Sequence, residues 1–320
     1  MNIHLIMYIL DVYHYINMKF YTHYINMTFL LFGAKGWIGG MVKDLLEKDG
    51  QEVIVATSRA DDIPSVEQEL KTVMPTHVIS WIGRTHGTGI NSIDYLEQPG
   101  KLYENVRDNM FGALVLAKLA ETYGYHFTYG GTGCIFEYDS EHPNTPDDTG
   151  FTEEDDPNFF GSNYSVVKGF VDRLLHLYPD TLNVRIRMPI INHMHPRNFI
   201  TKIVNYQKIH SIENSMSVLP ILLPLMIHMI KKGVTGTINL TNPGKITHAE
   251  ILEMYKEYVD PNHTWECVES VNGLVVAKRS NNLLCTSKLQ SMYPEVLSIH
   301  EAVKWCMENW ASDGNEENTL

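Results

Sequence analysis

Three residues of the sequence have the types and the spacing of a proton-transfer site. Tyr164 and Lys168 stand four positions apart in a segment with helical periodicity, so their side chains share one helix face. A nearby ammonium favours the phenolate form, which eases transfer of the phenol proton to or from a substrate oxygen. Thr132 ends an earlier apolar strand and offers a hydroxyl that can assist at a carbonyl. We therefore interpret Thr132, Tyr164 and Lys168 as catalytic.

A glycine-rich segment is a candidate binding loop for a dinucleotide. Gly33, Gly36 and Gly39 follow the apolar run TFLLF and lead into the helical segment MVKDLLEKDG, with Trp37 and Ile38 between the last two glycines. This spacing lets the backbone approach a pyrophosphate, and a helix N-terminus supplies N–H donors and partial positive charge. We expect all five residues to contact the cofactor, together with Tyr164 and Lys168.

The end of the second strand indicates which dinucleotide is bound. Sites for NAD often have a carboxylate here that binds the ribose 2′-hydroxyl. In this chain Thr57 is followed by Ser58 and Arg59, and the next carboxylate is Asp61. A hydroxyl and a guanidinium suit a 2′-phosphate. The pattern favours NADPH, with NADH as a weaker substitute, although Arg59 could also be an exposed loop residue with no such role.

The order of apolar strands and amphipathic helices predicts the fold that positions these residues. Strands near 28–32, 52–57, 76–83, 126–130 and 182–187 alternate with helical segments. Such alternation is typical of an α/β fold with a Rossmann-type doubly wound parallel sheet. We assign 28–190 mainly to a dinucleotide-binding domain. Residues 191–310 form a smaller mixed α/β substrate domain, for which a return of strands to the sheet is left open.

Composition excludes several classes of function. The 320 residues are 44% hydrophobic, enough for a sizeable core, and 25 Lys and Arg against 38 Asp and Glu give a formal charge of −13. This charge disfavours nucleic acids and anionic membranes as partners. The four cysteines form no CxxC pair, and the histidines lack paired metal-ligand spacing. We expect a cytoplasmic protein without a metal site.

The two ends of the sequence differ from the rest. Residues 1–27 contain the pentapeptide HYINM twice and resemble neither a secretory signal nor a membrane span. We expect a dispensable extension ahead of a start at Met27, with a short docking helix as the alternative. The acidic tail 311–320 is expected to be disordered.

From Thr28 to about Trp310 the sequence resembles the extended short-chain dehydrogenase/reductases, and within them the bifunctional nucleotide-sugar 3,5-epimerase/4-reductases. Asn109 matches the asparagine that lies on the helix beneath the site in the larger family. The resemblance implies an NADPH-dependent oxidoreductase and isomerase that converts UDP-4-keto-6-deoxy-D-glucose to UDP-L-rhamnose, downstream of a 4,6-dehydratase. The segments that carry it include GWIGG, TGCIFEYD (132–139), GSNYSVVK (161–168), RMPI (187–190), PRNFITKI (196–203), NSMSVL (214–219), TNPG (241–244) and RSNN (279–282).

The resemblance also assigns roles to individual residues. It implies that Cys134 and Lys202 are the acid/base pair for epimerisation, without deciding which acts at C3 and which at C5. It further implies that Asn198 and Arg279 contact the nucleotide diphosphate of the substrate. Taken without the resemblance, Cys134 is equally a small core residue and Lys202 a solvated charge.

Two alternative functions remain at this point. A reductase without epimerase activity, similar to dTDP-4-dehydrorhamnose reductase, would also need Tyr164 and Lys168. A non-catalytic regulatory subunit that binds a dinucleotide would not need them, so their presence with Thr132 favours an enzyme. Gly133 and Cys134 replace the two carboxylates that follow the threonine in related dehydratases, which disfavours dehydration. The base of the nucleotide and the oligomeric state, a homodimer among the options, stay open.

Overall fold

The computed structural model describes residues 27–269 and 276–311. The strands are β1 Thr28–Phe32, β2 Glu52–Val55, β3 His77–Ser80, β4 His126–Thr132, β5 Thr181–Ile186, β6 Lys208–Ile209, β7 Gly236–Asn239 and β8 Glu266–Cys267. Six of them form one sheet in the order β2-β1-β3-β4-β5-β7, in which all pairs are parallel. The predicted doubly wound α/β fold is confirmed. The expectations for residues 1–26 and 312–320 lie outside the described residues.

Helices cover both faces of this sheet. They are α1 Trp37–Lys48, α2 Ile63–Val73, α3 Leu102–Val106, α4 Gly112–Tyr123, α5 Asn163–Leu175, α6 Phe199–Val204, α7 Leu219–Lys231, α8 His248–Tyr258, α9 Ser287–Met292 and α10 Ile299–Glu308. The amphipathic pattern over 101–123 predicts one long helix, and the backbone is helical without a break from Leu102 to Tyr123. Within it, α3 and α4 are joined by a π-helical turn at Arg107–Phe111, and such turns often occur at functional sites.

The sheet is buried on both faces, which explains the continuous apolar runs of its strands. Phe29 and Leu31 of β1 contribute to the apolar layer that contains α1 and α7, whereas Leu30 and Phe32 contribute to the opposite layer with α4. Alternate residues of a strand point to opposite faces, so a strand covered on both sides needs apolar residues throughout. A third apolar cluster lies among α6, α8 and α10.

The second half of the chain contributes to the sheet as well as to the third cluster. Strand β7 pairs with β5 along Leu182 to Arg185. The sheet therefore extends beyond the segment before residue 190. Among the described residues, no helix combines the length and the apolar composition needed to cross a membrane.

Candidate active site

The glycine loop lies at the carboxyl end of β1, at the edge of the sheet where open parallel sheets bind ligands. Gly33 has a φ of 83°, and a Cβ there would lie 2.8 Å from the carbonyl carbon of Trp81. A Cβ on Gly39 would lie 2.1 Å from the carbonyl oxygen of Gly33. Both positions therefore require glycine, because the loop folds directly onto the start of α1 and the end of β3.

The start of α1 fits a bound pyrophosphate. Gly36 is its N-cap, and no side chain of the described residues caps this helix. The first-turn N–H groups, including those of Trp37 and Ile38, have no partners within the helix and can therefore bind an anion. The indole of Trp37 stacks on His195 with ring centroids 4.9 Å apart. These residues fit the phosphates of a dinucleotide.

The carboxylate of Glu69 lies at the end of β2, and the sequence analysis did not predict it there. Glu69 of α2 accepts hydrogen bonds from the N–H and hydroxyl of Thr57, at 2.7 and 2.8 Å, and from those of Ser58, at 3.0 and 2.5 Å. Burial raises the pKa of Glu69, but these hydrogen bonds outweigh it and leave the pKa below its ordinary value. The side chain of Arg59 is 61% exposed and forms an ion pair with Asp61 at 2.9 Å.

The start of α5 is fixed by hydrogen bonds to its first turn. The Ser162 hydroxyl accepts a hydrogen bond from the N–H of Ser165, and the N–H of Asn163 donates to Glu97 at 2.7 Å. Glu97 ends a short 3₁₀ helix, Ile93–Glu97. These caps place Tyr164 in the first helical turn and Lys168 one turn later.

Tyr164, Thr132 and Cys134 lie together at the carboxyl end of β4. The phenol of Tyr164 packs with Tyr95, Leu96 and Cys134, and the Thr132 hydroxyl accepts a hydrogen bond from the N–H of Cys134 at 3.1 Å. Burial raises the pKa of Tyr164, Cys134 adds to the increase, and a hydrogen bond with Thr132 opposes it. The phenol is therefore neutral at physiological pH and can donate its proton.

Lys168 is held by two groups of β4. Its Nζ donates to the hydroxyl of Tyr129 and to the carbonyl of Gly130, the latter at 3.2 Å. Burial lowers the pKa of Lys168 to about 7, against the opposing influence of Asp172 and Cys134. Its ammonium can therefore change protonation state near neutral pH.

Arg187 is a further residue that sequence reasoning missed. It is almost fully buried, and its guanidinium donates to the side chain of Asn214 and to the carbonyl of Ser280. Burial lowers the pKa of the Arg187 guanidinium, and the nearby Cys134 opposes this decrease. The only sequence signal was its position directly after an apolar strand, in the segment RMPI.

A group of cations surrounds Lys202. Lys202 of α6 has a pKa lowered by burial and then by the charges of Arg197 and Arg279. Arg197 contacts His86 at 2.6 Å, and Arg279 forms an ion pair with Asp94 at 3.0 Å. Such a concentration of basic side chains suits a diphosphate.

The 3₁₀ helix Ile93–Glu97 connects the two groups of predicted site residues. Its Asp94 binds Arg279, while its Tyr95 and Leu96 pack against Tyr164 and Cys134. Thr132, Cys134, Tyr164 and Lys168 thus form one group, and the ion pair of Asp94 with Arg279 links this group to the cations around Lys202.

The structure places Asn198 away from the surface of the site. Its side chain is fully buried. The Oδ1 accepts hydrogen bonds from the N–H groups of Ile191 and Ile200, and the Nδ2 donates to the carbonyls of Ile191 and His193. The amide is thus fully engaged with the backbone of residues 191–200. It fixes the turn that leads into α6 and so positions Lys202.

We expect Asn198→Ala to reduce the free energy of unfolding by about 2–4 kcal/mol, because it removes a helix cap and leaves buried backbone groups without partners. Denaturant unfolding would measure this loss. Asn205→Ala, at the exposed opposite end of α6, is the matched control and should cost about 1 kcal/mol or less. An unchanged stability combined with a raised KM for the nucleotide sugar would instead make Asn198 a direct substrate contact.

Comparisons with known proteins agree with this geometry. Residues 29–205 match the model of the NAD-dependent epimerase/dehydratase family. The chain belongs to this family. It is 42% identical over 281 residues to a bifunctional dTDP-4-dehydrorhamnose 3,5-epimerase/dTDP-4-dehydrorhamnose reductase of Arabidopsis thaliana, covering 87% of this chain and 91% of the relative. The resemblance to bifunctional epimerase/reductases is confirmed, and the chain is an enzyme of this kind.

Solved structures show the same relationship. The crystal structure of a UDP-rhamnose synthase from Acanthamoeba polyphaga mimivirus is 52% identical and superposes with a TM-score of 0.86, covering 89% of this chain and 99% of that one. A dTDP-4-dehydrorhamnose reductase from Bacillus anthracis, solved in complex with NADP, has a TM-score of 0.73 at 16% identity, covering 89% of this chain and 98% of that one. The second similarity shows the shared fold.

The described residues contain no group of three or more His, Cys, Asp or Glu that could hold a metal ion. The family relationship supports a nicotinamide cofactor for this enzyme.

Proposed function

We propose that this enzyme is an NADPH-dependent nucleotide-sugar 3,5-epimerase/4-reductase that converts UDP-4-keto-6-deoxy-D-glucose to UDP-L-rhamnose. One observation carries the proposal: Cys134 packs against the cluster formed by Tyr95, Leu96 and Tyr164 and is close enough to raise the pKa of the Tyr164 phenol further, beyond the effect of burial, so a reductase acid and a second candidate acid/base group lie in one site. The substrate is the product of a 4,6-dehydratase, and we place the enzyme in the cytoplasm with it.

Epimerisation uses the acidity that the C4 ketone confers on the hydrogens at C3 and C5. One group removes a proton and the other returns a proton to the opposite face of the same carbon. Cys134 can fill one role, because its thiol lies in the site beside Tyr164 and Arg187. Lys202 can fill the other, because burial and neighbouring cations lower the pKa of its ammonium.

Reduction uses Tyr164 as the acid. Its neutral phenol donates a proton to O4, and Thr132 orients the phenol. The Lys168 ammonium, one helical turn away, stabilises the phenolate that remains. When bound, NADPH supplies the hydride that is transferred to C4. Epimerisation must come first, because reduction removes the ketone that acidifies the neighbouring carbons.

Product analysis tests this function. We expect incubation with UDP-4-keto-6-deoxy-D-glucose and NADPH to yield UDP-L-rhamnose, identified by mass spectrometry and NMR. A 6-deoxy-D-hexose product would indicate a reductase without epimerase activity. Binding of NADPH without turnover of this substrate would support a regulatory subunit.

The preference for NADPH is tested by two variants at the end of β2. Arg59→Ala should raise the dissociation constant of NADPH about tenfold, because one charge-assisted phosphate bond is lost, and leave that of NADH nearly unchanged. Glu69→Gln removes the negative charge beside Ser58 and should tighten NADPH binding. Isothermal titration calorimetry measures both effects. Tighter binding of NADH than NADPH by the wild type would show that Glu69, not Arg59, sets the specificity.

A further inference from the structure

The hydroxyl of Tyr129 links Lys168 to the helix that carries Asn109. Tyr129 lies in the middle of β4 and is almost fully buried. Its hydroxyl donates to the backbone carbonyl of Asn109 at 3.1 Å and accepts a hydrogen bond from Lys168 Nζ. Asn109 belongs to the π-helical turn Arg107–Phe111. The Lys168 ammonium is thereby connected to the backbone of the π-helical turn.

The groups of β4 use two of the N–H donors of the Lys168 ammonium. An ammonium has three N–H donors. Two are taken by groups of β4, the Tyr129 hydroxyl and the Gly130 carbonyl. Lys168 Nζ also lies 4.2 Å from the centroid of the Tyr129 ring, so the ring limits its movement on one side. The third N–H can therefore interact with groups in the active site.

We propose that Tyr129 is a positioning residue for the reduction step, which holds the Lys168 ammonium so that its remaining N–H supports Tyr164. The inference rests on the proposed reductase activity. Tyr129 itself does not contact the reacting atoms. It acts through Lys168, and its own position is fixed by the Asn109 carbonyl.

Asn109 is in turn held by its surroundings. Its side chain accepts a hydrogen bond from the N–H of Arg84 at 2.7 Å and donates to the carbonyl of the same residue at 2.9 Å. It also donates to the side chain of Asn105 at 2.8 Å. The loop after β3, the π-helical turn, β4 and α5 are thus joined in one network that ends at Lys168.

The charge state of Lys168 depends on this network. Burial lowers its pKa to about 7, and the ionisable groups near it are Asp172 on α5, Cys134 after β4 and the phenol of Tyr129. The phenol of Tyr164 lies near that of Tyr129. Burial holds the pKa of Tyr129 well above its ordinary value, so this phenol stays neutral and can accept the ammonium hydrogen bond. Losing that acceptor disfavours the ammonium and lowers the pKa of Lys168 further.

The test compares Tyr129→Phe with Tyr125→Phe. Tyr125 is equally buried in the same apolar layer, and its hydroxyl donates to the carbonyl of Leu116 at 2.6 Å. Each variant thus loses one buried hydroxyl, but only Tyr129→Phe removes a partner of Lys168. We expect Tyr129→Phe to lower kcat for reduction about tenfold. The alkaline limb of the pH profile of kcat should move about one pH unit lower, because the free energy of one charge-assisted hydrogen bond corresponds to a pKa change of about one unit.

Exchange of hydrogen at C3 and C5 with deuterated buffer should be unchanged in Tyr129→Phe, because epimerisation does not use Lys168. Tyr125→Phe should lower the melting temperature and leave the pH profile in place. A wild-type pH profile in Tyr129→Phe, or the same shift in both variants, would overturn the proposal.

An NMR titration of Lys168 Nζ separates this proposal from the proposed function. In the wild type, the ammonium protons should show contacts with the Tyr129 ring, and the pKa should fall in Tyr129→Phe whether or not the sugar substrate is turned over. Absence of these contacts in the wild type would overturn the positioning role even if the variant fails to fold. A wild type that shows them but does not reduce the ketone would overturn the proposed function alone.

Discussion

Tyr164→Phe is expected to lower the rate of ketone reduction by about 10²–10⁴-fold, the usual contribution of a general acid. The variant removes the transferable proton and keeps the ring that packs against Tyr95 and Leu96. Folding and dinucleotide binding should therefore be nearly unchanged. Loss of NADPH absorbance measures the rate, and calorimetry measures binding of NADPH.

Two further measurements complete this experiment. Tyr125→Phe, which removes a buried hydroxyl away from the site, should keep the wild-type rate. Exchange of hydrogen at C3 and C5 should persist in Tyr164→Phe, because those protons are moved by other groups. Reduction at a near-wild-type rate in Tyr164→Phe would show that another group protonates O4.

Cys134→Ala is expected to abolish deuterium incorporation at one or both of C3 and C5, while NADPH binding is retained. Lys202→Met should show a related exchange defect, with an added loss of substrate affinity because its charge belongs to the basic group near Arg279. NMR of the sugar in deuterated buffer measures exchange at each carbon. A comparison of exchange at C3 and at C5 in the two single variants shows which residue acts at which carbon. Slow reduction by Cys134→Ala should give a 6-deoxy-D-hexose.

Matched controls exist for both positions. Cys285→Ala removes another half-buried free thiol, and Lys208→Met removes an exposed lysine of β6. Neither should alter exchange. If the Cys134→Ala, Lys202→Met double variant exchanges fully at both carbons, the epimerisation step belongs to other residues, and Arg187 and His86 become the next groups to substitute.

The sequence by itself determined the sheet and the place of the reductase residues. Five of the six strands of the sheet were predicted from apolar runs, because a strand buried on both faces must be apolar along its length. The sequence left open whether a strand of the second half joins the sheet, as β7 does. The positions of Tyr164 and Lys168 on one helix follow from the helical repeat. These are local properties, fixed by residues close together in the chain.

The tertiary structure alone decided which side chains surround those residues. Glu69 accepts a hydrogen bond from the hydroxyl of Ser58, which lies 11 positions away in the sequence. Lys168 donates one to Tyr129, which lies 39 positions away. Arg187 reaches Cys134 from the end of β5. The resemblance implies that Asn198 contacts the substrate, but its amide is hydrogen-bonded to the backbone of the turn that leads into α6. Such contacts depend on how helices and strands pack against one another, and the repeat within a single element contains no information about that packing.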